Sequence, residues 1–313
     1  MMKPTRTLWG SIGAAVALGM HFSAAAGATW ERNLTYTGTD GNVFNYWKLE
    51  QKPTDGSKVP LVIFLHGAGE RRKSDGSNDG IQVQIGYIAP LQKWLNSNET
   101  KGFLLVAGQV PYMYGGSSPE ACANMTDKNE KWVYLDWTKN GHTMPEQPST
   151  TMSLHLEFLD KLLRENTDID TSRVYVTGMS MGGFGTWDII CRRPDVFAAA
   201  LPICGGGDVK QASKIASLPI WTFHGNADRA VPVANSQDMV AALRAAGSAV
   251  KYTEYDGKGH SIWNDVYADS AVLEWFFSQK KSGYDPGDTP GDDPGISHHR
   301  TMNGKGVKDK TGE

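Results

Sequence analysis

The chain alternates short apolar runs with segments whose apolar residues recur at helical spacing. Six runs are apolar along most of their length, as expected of strands buried on both faces of a sheet: 60–67, 103–110, 173–180, 198–205, 219–226 and 250–257. Apolar residues recur every three to four positions over 150–166, 235–246 and 265–279, which is typical of helices packed on one face. This alternation predicts an α/β fold with a mostly parallel central sheet and helices on both faces.

Two segments depart from this alternation. Residues 32–50 contain two short polar-apolar runs around a turn at 38–42, which predicts an N-terminal antiparallel hairpin. Residues 111–149 have no clear periodicity. A loop of this length in a compact domain is usually functional, so we expect it to border a site.

The first residues have the pattern of a secretory signal. Two basic residues precede an apolar stretch over 8–20, and small residues follow it. This order predicts a signal peptide over 1–28, cleaved after Ala26 or Ala28, and a secreted or periplasmic mature protein. No later run of about 18 apolar residues exists, so no membrane association is expected after cleavage.

Residues 282–313 differ in composition from the rest of the chain. Repeats of Asp, Pro and Gly lead into a polar stretch that includes His298 and His299. A segment with so few apolar residues cannot bury a core, which predicts a disordered linker and tail. The expected folded domain is therefore 29–281.

Charge and motif content narrow the possible partners. The 313 residues carry a formal net charge of −3 and no basic stripe, which argues against nucleic-acid binding.

The segment 75–80 resembles the first half of a calcium loop, but Gly86 stands where the last ligand should be, so a polar turn is favoured. We expect no cofactor and no metal. The sequence leaves the oligomeric state open.

Three cysteines, Cys122, Cys191 and Cys204, fall within the predicted domain. An oxidising compartment would allow one disulfide in any of three pairings, with one thiol left over. Cys191 and Cys204 lie in apolar segments, where free buried thiols are equally expected.

The strongest local motif is Gly178-Met179-Ser180-Met181-Gly182, which follows an apolar run and precedes a helical pattern. A serine between such glycines is typical of a strained strand-to-helix turn that exposes a nucleophilic hydroxyl. The helix that follows would direct its N-terminus at developing negative charge.

A serine nucleophile needs a histidine base and an acid that orients it. Asp228 follows one predicted strand and His260 follows the next, so we predict them as acid and base. The other acids considered are Asp256, Asp208 and Asp188. Asp188 falls inside a helix, and Asp208 precedes the strand that leads to Asp228.

The oxyanion of an acyl-transfer intermediate needs hydrogen-bond donors. We predict the backbone N–H of Met181 as one donor, because Met181 follows the nucleophile. The loop after the first buried strand supplies the other, with Ala68 preferred over Gly67 and Gly69. His66 is expected to brace this loop rather than transfer protons.

Five segments together resemble one branch of the α/β-hydrolases: LHGAGERR, GMSMGGFGTWD, CRRPDVFAAALPICGGGD, FHGNADRAVPV and GKGHSIW. That branch holds feruloyl and acetyl esterases, polyhydroxybutyrate-depolymerase-like proteins and predicted peptidases related to prolyl oligopeptidase. The resemblance covers about 59–281 and implies an α/β-hydrolase fold and a secreted serine esterase that hydrolyses feruloyl or acetyl esters of plant polysaccharides. A polyester depolymerase, a small-peptide peptidase and a non-catalytic carbohydrate-binding protein are the alternatives.

Several aromatic residues border the expected cleft. Tyr112, Trp132 and Trp137 lie in the long loop, and Trp263 lies three residues after His260. Flat rings stack on phenolic groups and on sugar faces, so we predict these four as substrate-binding residues. The competing interpretation is that they anchor the loop.

Overall fold

The computed structural model describes residues 28–71, 86–99, 102–110 and 131–281. Within them, eight strands form one sheet: β1 Trp30–Thr37, β2 Val43–Gln51, β3 Val59–Leu65, β4 Phe103–Gln109, β5 Ile169–Met179, β6 Ala199–Ile203, β7 Trp221–Gly225 and β8 Lys251–Tyr255. Six α-helices accompany them: α1 Ala89–Asn98, α2 Thr150–Glu165, α3 Met181–Arg192, α4 Ala234–Ala245, α5 Trp263–Ala268 and α6 Ser270–Ser278.

The strand order is β1-β2-β4-β3-β5-β6-β7-β8. β1 and β2 form the predicted antiparallel hairpin, and β2 pairs antiparallel with β4. All pairings from β4 through β3 to β8 are parallel. The predicted fold class is therefore confirmed. The carboxyl ends of the six parallel strands, β3 to β8, lie at one edge of the sheet.

Apolar side chains fill both faces of the sheet, because the central strands are buried on both sides. One cluster joins the sheet to α2, α3 and α4 and includes Leu159, Trp187 and Leu243. The other joins it to α1, α5 and α6 and includes Leu91 and Phe276. Helices on both faces were predicted, and this arrangement confirms them.

One local prediction was wrong, and one helix was missed. The single helix expected over 265–279 is broken at Asp269, whose carboxylate caps α6 by accepting a hydrogen bond from the Ala271 N–H at 2.9 Å. The helix Ala89–Asn98 was not predicted, because its apolar residues are few; burial of Leu91 and Leu95 against α5 and α6 stabilises it.

The described part of the long loop, 131–149, contains no helix or strand. It is tied to the domain at several points. The Ser149 hydroxyl lies 2.8 Å from the Lys131 carbonyl, the Met144 N–H donates to Asp208, and the Arg192 guanidinium donates to the carbonyls of residues 145 and 146.

Several predictions lie outside the described residues: the signal peptide, the linker and tail, the calcium-like segment, Cys122 and Tyr112. Cys191 and Cys204 are buried free thiols. Among the described residues, no helix has both the length and the apolar character needed to cross a membrane.

Candidate active site

Ser180 lies in the turn between β5 and α3, at the carboxyl edge of the sheet. Its backbone has φ 56° and ψ −120°, a conformation that residues with a side chain rarely adopt. Gly178 and Gly182 permit this turn, since a Cβ on Gly178 would collide with the main chain of Gly182, and one on Gly182 with that of Leu65. The predicted strained turn is therefore present, and main-chain packing maintains it.

Asp228 and His260 come from neighbouring parallel strands. Asp228 lies in the turn after β7, and His260 lies in the loop after β8. Because β5, β7 and β8 end at the same edge, the three predicted side chains meet although they are distant in sequence.

Their side chains form a continuous hydrogen-bonded line. The Ser180 hydroxyl lies 2.8 Å from Nε2 of His260, and Nδ1 of His260 lies 2.6 Å from Oδ2 of Asp228. Since a carboxylate only accepts, Nδ1 carries the proton and Nε2 is free to accept the serine proton. This is the arrangement a general base needs to activate a hydroxyl.

The Asp228 carboxylate is fully buried and densely hydrogen-bonded. Burial by itself would raise its pKa. The hydrogen bonds from His224, His260 and the Val231 N–H outweigh burial and hold the pKa of Asp228 well below its usual range. Its Oδ1 also accepts from the N–H of Ala230 at 2.8 Å. The carboxylate therefore stays charged and correctly oriented toward His260.

The loop after β3 lies against the nucleophile. A Cβ built on Gly67 would be 3.6 Å from the Cβ of Ser180, and Ala68 begins a short 3-10 helix that ends at Glu70. On the other side, Met181 is the first residue of α3, whose initial N–H groups have no partner within the helix. Met181 follows Ser180 directly and Ala68 follows Gly67, and the role of Met181 and Ala68 as oxyanion donors stays a prediction.

His66 braces this loop, as expected. Its Nε2 accepts from the Val110 N–H at 2.8 Å and its Nδ1–H donates to the Gly67 carbonyl at 2.6 Å. Complete burial lowers the pKa of His66 to about 3, so the ring stays neutral. The Trp132 indole N–H donates to the His66 carbonyl at 3.0 Å and holds the same turn.

That contact corrects one predicted substrate residue. Trp132 has no exposed surface and packs in the core between His66 and His155, with ring centroids about 5.3 and 5.4 Å away. The prediction that Trp132 lines the cleft was wrong, because the buried indole anchors the described part of the loop, 131–149, to the core instead.

Trp263 and Trp137 occupy different surroundings. Trp263 is largely buried, and its ring packs edge-on against the imidazole of His260 and against the ring of Tyr87, with centroids 5.5 Å apart in both pairs. Trp137 is half-buried beside Phe184, one turn after Ser180, with the Lys131 ammonium 4.6 Å from its ring. Both remain candidates for substrate contact.

Three residues near the triad were not singled out from the sequence as parts of the site. Glu70 is buried beside Gly67, and burial raises the pKa of its carboxyl. The Cys204 thiol donates to the His260 carbonyl at 3.2 Å. His224 lies 3.3 Å from Asp228. The only sequence signal that could have identified two of them is nearness to a predicted site residue. Glu70 follows the predicted oxyanion donors closely, and His224 precedes Asp228 by four residues.

Potential metal ligands cluster at one place in the described part of the chain. Atoms of Cys204, His224 and Asp228 lie within 4.8 Å of one another. The Asp228 oxygen in this group already accepts from His260, and His224 has partners at both ring nitrogens. The Asp228 and His224 atoms are therefore engaged in hydrogen bonds within the protein, which argues against a metal site here.

Comparison with known proteins identifies the family of the chain. A model of the dienelactone hydrolase family matches residues 103–281, more than half of the chain. Poly(3-hydroxyalkanoate) depolymerase C of Paucimonas lemoignei is 30% identical over 150 residues, 48% of this chain and 28% of that protein. Bifunctional acetylxylan esterase/xylanase XynS20E of Neocallimastix patriciarum is 26% identical over 170 residues, 54% of this chain and 19% of that protein.

The chain thus spans less than a third of the length of either relative. A solved structure of a thermostable esterase is 32% identical, with a TM-score of 0.63, covering 82% of this chain and 64% of that one. The resemblance inferred from the motifs is confirmed: the chain belongs to the dienelactone hydrolase family of the α/β-hydrolases.

Proposed function

We propose that this protein is a serine esterase that hydrolyses carboxylic esters with Ser180 as nucleophile, His260 as base and Asp228 as orienting acid. The observation that carries the proposal is the unbroken line of 2.8 and 2.6 Å contacts from the Ser180 hydroxyl through His260 to a buried, charged Asp228. The nucleophile, the base and the acid in this proposal are all side chains of the protein.

In this mechanism the Ser180 oxygen attacks the ester carbonyl while Nε2 of His260 takes the hydroxyl proton. The backbone N–H of Met181 and that of Ala68 stabilise the oxyanion. His260 then returns the proton to the departing alcohol, which leaves an acyl-enzyme on Ser180. A water molecule, deprotonated by His260, releases the acid and restores the serine.

The proposed substrate is an ester carried by a polymer, with an acetyl or feruloyl group on a plant polysaccharide favoured. Trp263, which contacts both His260 and Tyr87, supports a flat acyl or sugar group near the reacting carbonyl. A relative named acetylxylan esterase/xylanase supports the same class.

A polyester is the second candidate substrate. The observation that favours it is the 30% identity to a poly(3-hydroxyalkanoate) depolymerase over 150 residues, about half of the chain. We also propose that the protein is exported, on the basis of the basic, apolar and small-residue order of residues 1–28.

The test is a panel of methyl ferulate, acetylated xylan, poly(3-hydroxybutyrate), a small peptide amide and p-nitrophenyl acetate, each with wild type and Ser180→Ala. We expect ester turnover by wild type and a loss of at least about 10³-fold in kcat for the variant, with an unchanged melting temperature. Turnover of the peptide amide alone would favour a peptidase. Absence of turnover on every substrate would favour a binding protein.

A further inference from the structure

His224 is a fully buried side chain that the triad mechanism does not use. Its Nε2 lies 3.3 Å from Oδ2 of Asp228 and 3.1 Å from the carbonyl oxygen of Val231. Both oxygens only accept, so Nε2 carries a proton that it shares between them. The same Oδ2 accepts from His260, and the Asp228 carboxylate therefore lies between two imidazole rings.

The far side of the His224 ring is also held. Its Nδ1 lies 2.8 Å from the hydroxyl oxygen of Ser236, in the first turn of α4, and that oxygen lies 2.9 Å from the Gly205 carbonyl oxygen. Ser236 is fully buried. The imidazole is thus fixed at both nitrogens, which makes it a rigid donor toward Asp228.

Other groups around Asp228 cannot replace that donor. The N–H groups of Ala230 and Val231 bind Oδ1, the oxygen that does not meet His260. The Cys204 thiol also faces the carboxylate, but a thiol is a weak donor. Without His224, Oδ2 would keep His260 as its one strong partner among these neighbours, and only the hydrogen bonds at Oδ1 would still oppose rotation of the carboxylate.

We propose that His224 is a positioning residue: its Nε2–H locks the Asp228 carboxylate so that Oδ2 stays aligned with Nδ1 of His260. The inference rests on the proposed serine hydrolase function and deepens it. A misaligned acid slows every step that forms the imidazolium, while substrate binding is untouched, so the effect falls on kcat and not on KM.

Two substitutions separate this role from simple packing. His224→Gln places an amide N–H where Nε2 lies, whereas His224→Phe fills the space without a donor. If His224→Phe does not fold, His224→Asn serves the same purpose, because its amide reaches only the position of Nδ1. Thr222→Val is the matched control: it removes a buried hydroxyl from the same strand, whose 2.9 Å bond to the Pro202 carbonyl is unconnected to Asp228.

The measurements are the rate of fluorophosphonate labelling of Ser180, detected by mass spectrometry, and kcat and KM on p-nitrophenyl acetate. We expect His224→Phe to lower the labelling rate and kcat about tenfold or more with KM within about twofold, since a hydrogen bond to a charged acceptor is lost. His224→Gln should stay within about threefold of wild type, and Thr222→Val within about twofold. In an Asp228→Asn background, His224→Phe should add less than about twofold.

An equal loss in His224→Phe and Thr222→Val would overturn the inference, as would a His224→Gln enzyme as slow as His224→Phe. A full tenfold effect that persists in the Asp228→Asn background would overturn it too, because His224 would then act by another route. Wild-type Ser180 that fails to react with the fluorophosphonate would instead refute the proposed function itself, and this inference with it.

Discussion

Polar residues around Ser180 each have several fixed partners. Asp228 accepts from four N–H groups, and His66 is bound at both ring nitrogens. Groups that are fixed before the substrate arrives need no reorganisation as charge develops, which is the usual source of large electrostatic effects in catalysis. Because the main chain around Ser180 is packed so closely, adding a single carbon atom at a neighbouring glycine should disturb the turn.

Gly182→Ala tests that sensitivity. Alanine normally favours a helix over glycine by about 1 kcal/mol, but here its Cβ would collide with the Leu65 carbonyl. We expect a loss of about 2 kcal/mol or more in the free energy of unfolding and a lower kcat, measured by denaturant titration and assay. The control is Gly86→Ala, which meets no atom within 4 Å and should change stability by less than about 0.5 kcal/mol. Equal effects in both variants would contradict the collision.

His155 makes stability depend on pH. It is fully buried among Phe44, Trp132 and Phe158, neither ring nitrogen has a hydrogen-bond partner among the described residues, and burial lowers its pKa to about 3. An unfolded histidine titrates near 6.5, so the unfolded chain binds the extra proton between these values. Neutral, buried His155 therefore contributes fully to the free energy of unfolding above about pH 6.5. This contribution is lost as the pH falls toward 3.

His155→Leu should therefore flatten the acid limb of the stability profile. Between pH 7 and pH 5, wild type should lose about 2 kcal/mol more than the variant, measured as the free energy of unfolding. Leu159→Ala, a cavity-forming change on the same helix, should lower stability by a similar amount at both pH values. Parallel curves for wild type and His155→Leu would show that the histidine is not responsible.

The described part of the long loop, 131–149, is held by helix α3 rather than by secondary structure of its own. Arg192 binds Asp188 through two nitrogens, at 2.7 and 3.1 Å, and also donates to the carbonyl of Pro145 at 2.8 Å. Asp188 is almost completely buried, and burial raises its pKa against the opposing effect of Arg192. One guanidinium thus satisfies both a buried charge and the backbone of the loop.

Arg192→Met should cost about 3–5 kcal/mol of stability, because it leaves the Asp188 charge buried without its partner. Limited proteolysis should then cut within 131–149 faster than in wild type. The double variant Arg192→Met/Asp188→Leu should recover much of the stability but not the protection of the loop. As a control, Lys161→Ala removes an exposed ion pair with Glu165 and should cost less than about 0.5 kcal/mol. Full stability in Arg192→Met would show that this clamp is unimportant.

The molecule as a whole is a sheet whose two faces are sealed by helices and whose carboxyl edge carries the site. Its last described residue, Lys281, is still attached: the backbone N–H donates to the Ser172 carbonyl at 3.0 Å and the ammonium to that of Pro194 at 3.1 Å. Gln279 accepts a hydrogen bond from the buried Tyr175 hydroxyl at 2.8 Å.

Truncation after Lys281 should therefore change the melting temperature by less than about 2 °C, since the composition of 282–313 offers little apolar surface to bury. Truncation after Ser278 should lower it by several degrees, because Tyr175 loses an acceptor and β5 loses the contact at Ser172. Differential scanning calorimetry of the two truncated proteins distinguishes them. A large fall after the first truncation would mean that the removed segment docks on the domain.

The sequence by itself determined the fold class and the three residues of the line from Ser180 to Asp228. Short apolar runs bounded by turn residues fit strands buried on both faces, and Ser180, Asp228 and His260 each follow such a run. The position of a polar residue just after an apolar run can be read from the local sequence. Parallel strands end at the same edge of the sheet, so the polar residues that follow them lie close together.

Tertiary structure alone decided features that depend on what a residue meets across the fold. Trp132 and Trp137 have the same neighbourhood in sequence, yet one is sealed between two buried histidines and the other borders the helix after Ser180. The helix Ala89–Asn98 forms because a neighbouring surface buries its few apolar residues. His224 looks like any residue that ends a strand, and its contact with Asp228 exists only because the turn after β7 folds back over it. Burial and long-range hydrogen bonding are properties of the assembled chain, so no pattern along the sequence could reveal them.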